Sequence, residues 1–464
     1  MMRRFLSIAG HTLLRNWVVL AIRVYFRKIQ VIGREKIPRS GPVLFAPNHQ
    51  YAFMDALIIT IIDRKIPYYL VRGDIFRTRM ANFMLRSLRM MPVYRAKDKV
   101  DMVKKNEEIF DKCVEILGSF GHLIIFPEGN HSKIRRIRPV QKGIFRIAFR
   151  TLLEKQGAQD LVIIPVGINY DDQSHFQSDL LVNFGNPIKV SQYLEEYKQS
   201  SARVIGELKD KIFSELVRLN INIENAESYK FYENIIKIYS PHFMLSIGDS
   251  YNNLEKRFNA YHNIISRLDK FKNESEEEFR EFMIKCNKFF KRQSRQKLNP
   301  AYISGRSGSG MGKLHRYMAL VIVLPIYYYG VINHAIALAV PYLIGKFLVR
   351  DDHFESSVKI AVGLLSFPLA YAINLFIVYA LTSRLDWTIY YFISMIFSGI
   401  FAKLSQSYVK SFWEKLKFWT VKYTDPVDYV KIKKNFREIR KKLDKRIIPE
   451  PQSQTAQPGM NSIT

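Results

Sequence analysis

Cysteine is almost missing from this chain: among 464 residues there are two, Cys113 and Cys286, far apart and each inside a helical pattern. That excludes a disulfide framework, offers no thiol spacing for zinc, and suits a reducing compartment. Negative charge is also scarce. Against 71 Lys and Arg stand 42 Asp and Glu, a formal net charge of +29, so the chain calls for an acidic partner, either nucleic acid or an anionic membrane surface. Neither a Gly-x-Ser-x-Gly elbow nor a glycine-rich phosphate loop is present, which disfavours a serine hydrolase or an ATP-dependent enzyme. No internal repeat is visible. The apolar stretch from Trp17 to Val24 is interrupted or bounded by Arg15, Arg23 and Arg27 and has no small-residue cleavage site after it. It is a poor signal peptide and too short to span a bilayer. Residues 1–30 therefore read as an interfacial helix, with packing on the next domain as an equal alternative.

What is present is an alternation. Apolar runs of strand type at Val43–Ala46, Tyr68–Val71, Met91–Tyr94, Leu123–Phe126, Val162–Val166 and Leu180–Phe184 are separated by helical patterns. The clearest of these is Val100–Leu117, with Ile109, Cys113 and Leu117 at helical spacing and Asp98 or Asp101 near its start. Strands alternating with helices imply an α/β fold with a mixed, largely parallel sheet flanked by helices over 31–190, and active groups at loops beyond strand ends.

The pattern then changes. Residues 191–303 read as a charged helical region whose blocks, Asn273–Glu278 and Lys288–Lys297 among them, are expected to be solvated faces; 304–316 reads as a flexible Gly/Ser joint. Over 317–405 hydropathy rises to transmembrane character. Tyr317–Ile344 is broken by Pro325, Gly330, Asn333, His334 and Pro341, while Ile360–Leu381 and Trp387–Ala402 are more continuous. A first segment that enters and returns, followed by two crossings, keeps both basic flanks on the cytoplasmic side. Residues 406–464 read as a basic cytoplasmic tail, disordered after Glu450. This points to a cell (inner) membrane protein with its α/β domain facing the cytoplasm.

The chemistry concentrates in Phe45–Asp55, FAPNHQYAFMD. A strand ends at Pro47, His49 falls in the following loop, and Asp55 opens an apolar helical run. A neutral histidine with a carboxylate on its other nitrogen is a standard general base near pH 7. Further on come a strand-like run ending at Arg95 and the turn Phe126-Pro127-Glu128-Gly129-Asn130-His131-Ser132, in which Pro127 stiffens the backbone and Gly129 opens conformations closed to other residues. His49, His122, His131 and Asp55 match no zinc spacing, so no metal is expected.

These three pieces, in this order, resemble the phospholipid/glycerol acyltransferase family over roughly residues 30–190. The five residues between His49 and Asp55 look like the yeast branch that acylates glycerol 3-phosphate or dihydroxyacetone phosphate, and Asn130 and His131 stand where the family has threonine and arginine. The resemblance implies an O-acyltransferase of phospholipid biosynthesis with His49 as base and Asp55 as its orienting acid. It places Arg95, Glu128, Gly129, Asn130 and Ser132 on the substrate, Arg95 gripping phosphate and Glu128 accepting from a hydroxyl. Lys133, Arg135, Arg136 and Arg138 would supplement the field or face anionic headgroups. Ile164-Pro165-Val166 resembles a further block, read equally well as acyl-channel wall or core strand. The donor would be acyl-CoA or an acyl-carrier protein, with no resident cofactor. The acceptor would be glycerol 3-phosphate, alternatively lysophosphatidate, and anionic membrane lipids would be partners. An idle lipid-binding scaffold is a further alternative; nucleic-acid binding rests on charge alone and is not expected.

Overall fold

The computed structural model describes residues 16–448 except 64, 77–78, 95–101, 173–175, 297, 299–312 and 348–354. The chain divides into two compact units, Met1–Asn222 with Tyr317–Gln406, and Ile223–Arg316 with Ser407–Thr464.

The first unit is built on an eight-stranded sheet of β1 (Lys28–Ile32), β2 (Val43–Pro47), β3 (Tyr68–Arg72), β4 (Met90–Val93), β5 (His122–Ile124), β6 (Val162–Tyr170), β7 (Asp179–Phe184) and β8 (Ile188–Lys189). The strand order is β1-β7-β6-β2-β5-β3-β4, with β8 on β6. Every pairing is parallel except β6 with β7 and β6 with β8, so the fold is mixed and mostly parallel. All six strands expected from sequence lie in it, shifted by a few residues at most. The two not anticipated are β1, whose Lys28-Ile29-Gln30-Val31-Ile32 is broken by polar residues and is not buried, and β8, only two residues long, so no uninterrupted apolar run marks either.

Seven helices accompany the sheet: α1 (Asn16–Tyr25), α2 (Ala52–Ile62), α3 (Arg79–Ser87), α4 (Met102–Gly118), α5 (Gly143–Glu154), α6 (Leu194–Gln199) and α7 (Ser201–Leu219). Central β2 is buried on both faces, which is why its sequence is apolar without interruption. Alternation of side chains sends Val43 and Phe45 into one core with Val18 and Ile22 of α1 and Leu57 and Ile58 of α2. Leu44 and Ala46 enter the other with Cys113 of α4, Ile147 of α5 and Leu208 of α7.

Two expected boundaries move. The α/β domain does not stop at 190. Val204, Leu208, Ile212 and Leu216, four apart along α7, are buried in the same core as the sheet, because an apolar stripe at that spacing must be covered however charged the opposite face. The N-terminal helix likewise buries Val18, Ile22 and Tyr25 against the sheet core while exposing Trp17 and Leu20.

Val358–Thr382 of this unit and the helix Leu385–Thr424, which begins in it and continues past Gln406, are long and apolar enough to cross a membrane. Ala319–Asn333 and Ala335–Phe347 are bent by 61° at His334. The bend falls among the helix breakers read from the sequence, and its polar groups are satisfied internally: Asn374 donates to the Asn333 carbonyl at 3.0 Å, and the His334 ring contacts Gly330 O and the Tyr371 hydroxyl at 2.7 Å each. The joint expected at 304–316 lies outside the described residues up to 312.

The second unit is a helical bundle of Tyr229–Ser246, Leu254–Glu274, Glu276–Arg295 and Pro426–Ile447. Phe231, Phe271, Phe279 and Phe282 pack edge to face or tilted in its core. The acidic block is not simply solvated: Glu278 accepts from Lys442 at 3.1 Å and Arg446 at 2.6 Å. Much of the basic tail is thus folded helix, and the tail beyond Ile448 lies outside the described residues.

The carbonyl of Leu219, at the C-terminus of α7, is held by the side-chain amides of Asn169 on β6 (2.9 Å) and Asn183 on β7 (3.2 Å), which satisfies one of the orphan acceptors of a helix end. It reaches them only because Gly167 has no side chain; a Cβ there would sit 2.1 Å from Leu219 O. Gly167→Ala is expected to destabilise the protein by about 1–3 kcal/mol, read as a fall of several degrees in Tm; an unchanged Tm would show that α7 is not seated as described.

Candidate active site

The sheet brings the carboxyl ends of β2 and β5 side by side, since Val43 pairs with His122 and Phe45 with Ile124. The two motif loops therefore leave the sheet as neighbours, at the edge where parallel α/β sheets bind ligands. His49 emerges two residues after β2, and the Phe126–Ser132 turn follows β5.

The longer His-to-Asp spacing is absorbed at the start of α2. Asp55 sits in its first turn and reaches back: Oδ2 accepts from the backbone N–H of Gln50 (2.9 Å) and Tyr51 (2.7 Å) and lies 3.0 Å from His49 Nδ1. This is the logic of a capping box, a first-turn side chain satisfying N–H groups at the helix entrance. The other oxygen, Oδ1, accepts from the Tyr170 hydroxyl at 2.5 Å. Burial, then the charge of Asp55, hold the Tyr170 phenol well above its ordinary range, so it remains a donor. Asp55 is fully buried, and a carboxylate, which only accepts, meets four donors there. With Nδ1–H directed at Asp55, His49 Nε2 carries the lone pair, and its ring is partly open to solvent, 14% exposed.

The second motif braces the first. Glu128 Oε1 accepts from the His49 backbone N–H at 2.8 Å, and Ser132 N–H donates to the His49 carbonyl at 3.1 Å. The Phe126 ring stacks on the imidazole with centroids 3.8 Å apart, and His131 meets it edge-on at 5.4 Å. Glu128 Oε2 accepts from Arg138 N–H at 3.2 Å and lies 3.5 Å from Arg138 Nε. Both carboxyl oxygens thus face protein donors, one each, which leaves each oxygen a further acceptor site. Gly129 adopts φ +71°, which requires glycine. Asn130 Oδ1 accepts from His131 N–H, its carbonyl from Arg138, and Ser132 Oγ from Ile134 N–H, so these side chains shape the turn in the first place. Arg95 lies outside the described residues. Of the cations after the turn, Arg135 is buried and donates to the carbonyls of Tyr170 and Asp171, whereas Arg136 is exposed.

Two contributors escaped sequence reasoning, and a third, Arg138, was read only as a supplementary cation. Asn48, fully buried, binds β6 with both ends of its amide, donating to Ile168 O (3.2 Å) and accepting from Ile168 N–H (2.7 Å). Its place beside His49 at a strand end was an available signal. Tyr170, 115 residues from Asp55, and Arg138, as Glu128's partner, had none. A second imidazole–carboxylate pair, His122 and Asp63 at 2.6 Å, is buried at the opposite, amino end of the strands. Among the described residues no group of three or more His, Cys, Asp or Glu side chains gathers as a metal site.

Burial pushes the Glu128 carboxyl up from 4.5 to about 7, against the opposing pull of the His49 N–H and Arg138. A folded value above the unfolded one means that the native state binds the extra proton, so this group's contribution to stability is full below about 4.5 and is lost as pH rises through about 7. The Tm of the wild type minus that of Glu128→Gln should therefore decline over that interval and level off above it. A difference independent of pH would refute the raised value.

A family model described as Acyltransferase matches residues 28–169. The chain is 23% identical over 215 residues to glycerol-3-phosphate O-acyltransferase 2 of Saccharomyces cerevisiae, covering 45% of this chain and 28% of that protein. It is 28% identical over 145 residues to the chloroplastic 1-acyl-sn-glycerol-3-phosphate acyltransferase BAT2 of Brassica napus, covering 30% of this chain and 39% of that one. The chain thus spans well under half the length of either relative. The crystal structure of PlsC, the 1-acyl-sn-glycerophosphate acyltransferase of Thermotoga maritima, matches at 17% identity and a TM-score of 0.34, covering 46% of this chain and 83% of that one. The matched span 28–169 holds β1 to β5, most of β6 and both motif loops, and over that span the chain is similar to the acyltransferase family.

Proposed function

We propose that the protein is a membrane-bound glycerolipid O-acyltransferase that moves a fatty acyl group from a carrier thioester to a hydroxyl of glycerol 3-phosphate. The observation that carries this reading is the His49–Asp55 contact, which leaves Nε2 as the basic nitrogen at the mouth of the sheet. As the acceptor hydroxyl oxygen attacks the thioester carbonyl, Nε2 takes its proton. The tetrahedral adduct, in which the new C–O bond already exists, then collapses: the carbonyl C=O re-forms as the C–S bond breaks, and the thiolate takes the proton from the imidazolium. Asp55 keeps the ring in the required tautomer and stabilises the imidazolium that forms between the two steps. A thioester is already activated, so no protein nucleophile, metal or resident cofactor is needed; acyl-CoA or an acyl-carrier protein would serve as donor. Exposed Arg136 and the stretch containing Arg95 are the cations offered to the phosphate. The apolar helices Val358–Thr382 and Leu385–Thr424 would hold the protein in the membrane where its product belongs.

A second acceptor, lysophosphatidate, is favoured by the likeness to the Brassica napus protein and presents the same phosphate and hydroxyl. The two are separated by kcat/KM for acyl transfer by the purified full-length chain to each acceptor, with glycerol 3-phosphate expected to be preferred. His49→Ala should lower the rate about 10²–10⁴-fold while leaving the fold intact by circular dichroism, and retention of a tenth of the wild-type rate would defeat the assignment of His49 as base.

A further inference from the structure

The first unit contains an apolar cavity of about 420 Å³ walled by α1, Phe176 and the helices Ala335–Phe347 and Glu355–Thr382. Its size is within the ~300–1,000 Å³ of small-molecule sites. None of its lining residues falls within the family-matched span 28–169, so it is an addition of this chain's own flanking helices. Two of its polar wall groups are already paired within the protein: Trp17 Nε1 donates to Leu364 O at 3.1 Å, and Lys359 pairs with Glu355 at 2.6 Å. An occupant with polar groups would find little to bind; a hydrocarbon chain would lose nothing.

Gly363 adds an independent argument. On the neighbouring apolar helices Lys313–Asn333 and Leu385–Thr424, a Cβ on Gly330 would lie 2.4 Å from Ser398 O and one on Gly399 2.7 Å from the His334 ring, and on the wall helix Ala335–Phe347 a Cβ on Gly345 would meet the Lys359 side chain at 3.1 Å. At Gly363 the nearest atom, Pro341 Cγ, is 3.9 Å away. A mid-helix glycine costs stability relative to alanine, and here no neighbour requires it; what the missing side chain leaves is open volume in the cavity it lines. The cavity also adjoins the catalytic layer. Tyr25 on its wall touches Phe26 (ring centroids 5.1 Å), Phe26 touches Tyr170 (6.0 Å), and Tyr170 binds Asp55. Ile360, another wall residue, belongs to the same apolar core as Tyr25, Phe26 and Tyr170.

We propose that this cavity receives the distal part of the donor's fatty acyl chain, with Gly363 setting the length accepted. The substrate assignment rests on the acyl-transfer reading, in which glycerol 3-phosphate has no chain of its own and the donor supplies the hydrocarbon. Because the cavity is separated from Asp55 by intervening rings, only long chains would reach it.

The test uses the purified full-length chain as wild type, Gly363→Ala and Gly363→Phe, with sixteen- and eight-carbon acyl-CoA and glycerol 3-phosphate or lysophosphatidate as acceptor. Gly363→Phe should lose about tenfold in kcat/KM for the sixteen-carbon donor, the effect of about two methylenes denied an apolar site, and stay within about twofold for the eight-carbon donor. A loss with lysophosphatidate alone would place the acceptor's chain there instead and overturn the assignment to the donor. Equal loss at both lengths, or none at either, would overturn the inference. A readout independent of turnover is energy transfer from Trp17 to an eighteen-carbon conjugated polyene fatty acid, taken as the signal removed by Trp17→Phe. It should be present in the wild type and absent in Gly363→Phe. Transfer that persists in Gly363→Phe rejects the cavity as the chain site; binding that follows the prediction in a protein without turnover would reject the catalytic reading and keep the cavity as a chain site.

Discussion

One buried carboxylate ties the site to the fold. Asp55 accepts from an imidazole, from two backbone N–H groups at the entrance of α2, and from a tyrosine hydroxyl on β6. Each bond answers a different structural need. The N–H bonds begin the helix, the Tyr170 bond ties that helix to the sheet, and the His49 bond sets a tautomer. A buried carboxylate left without such donors would be strongly unfavourable, so forming the fold and orienting the base are the same event.

Around this node the two motif loops divide the work. The loop after β2 carries the reactive nitrogen, and the turn after β5 holds the backbone of His49 from both sides, through Glu128 at its N–H and Ser132 at its carbonyl. Position in the sheet then separates function from architecture. His122 and Asp63 make a shorter imidazole–carboxylate contact than His49 and Asp55, but they lie buried at the amino end of the strands, where no loop cluster opens. The same pair of side chains is a structural clamp at one edge and a candidate base at the other.

The large positive charge is distributed with similar economy. Part of it is neutralised inside the second unit, where Lys442 and Arg446 meet Glu278 and the Arg446 guanidinium lies over the Phe271 ring at 4.5 Å. Clustered acidic and basic blocks that look like solvated faces in a linear reading become partners once the C-terminal helix packs into the bundle. The surplus of cations remains suited to an anionic membrane surface.

How much of this was legible in the chain itself depends on the range of each interaction. By itself the sequence determined the buried strands, whose apolar runs need no partner to be recognised, the His49–Asp55 and Phe126–Ser132 motifs in their order, and the breakers that bend the helix pair at His334. Only the tertiary structure decided that Asn48 and Tyr170 complete the site, that Glu128 grips the His49 backbone, that α7 joins the sheet core, and that β1 and β8 are strands at all. The physical reason is one of distance along the chain. Periodicity and turn chemistry act between near neighbours and leave a local mark, whereas a hydrogen bond spanning 115 residues leaves none until packing brings its ends together.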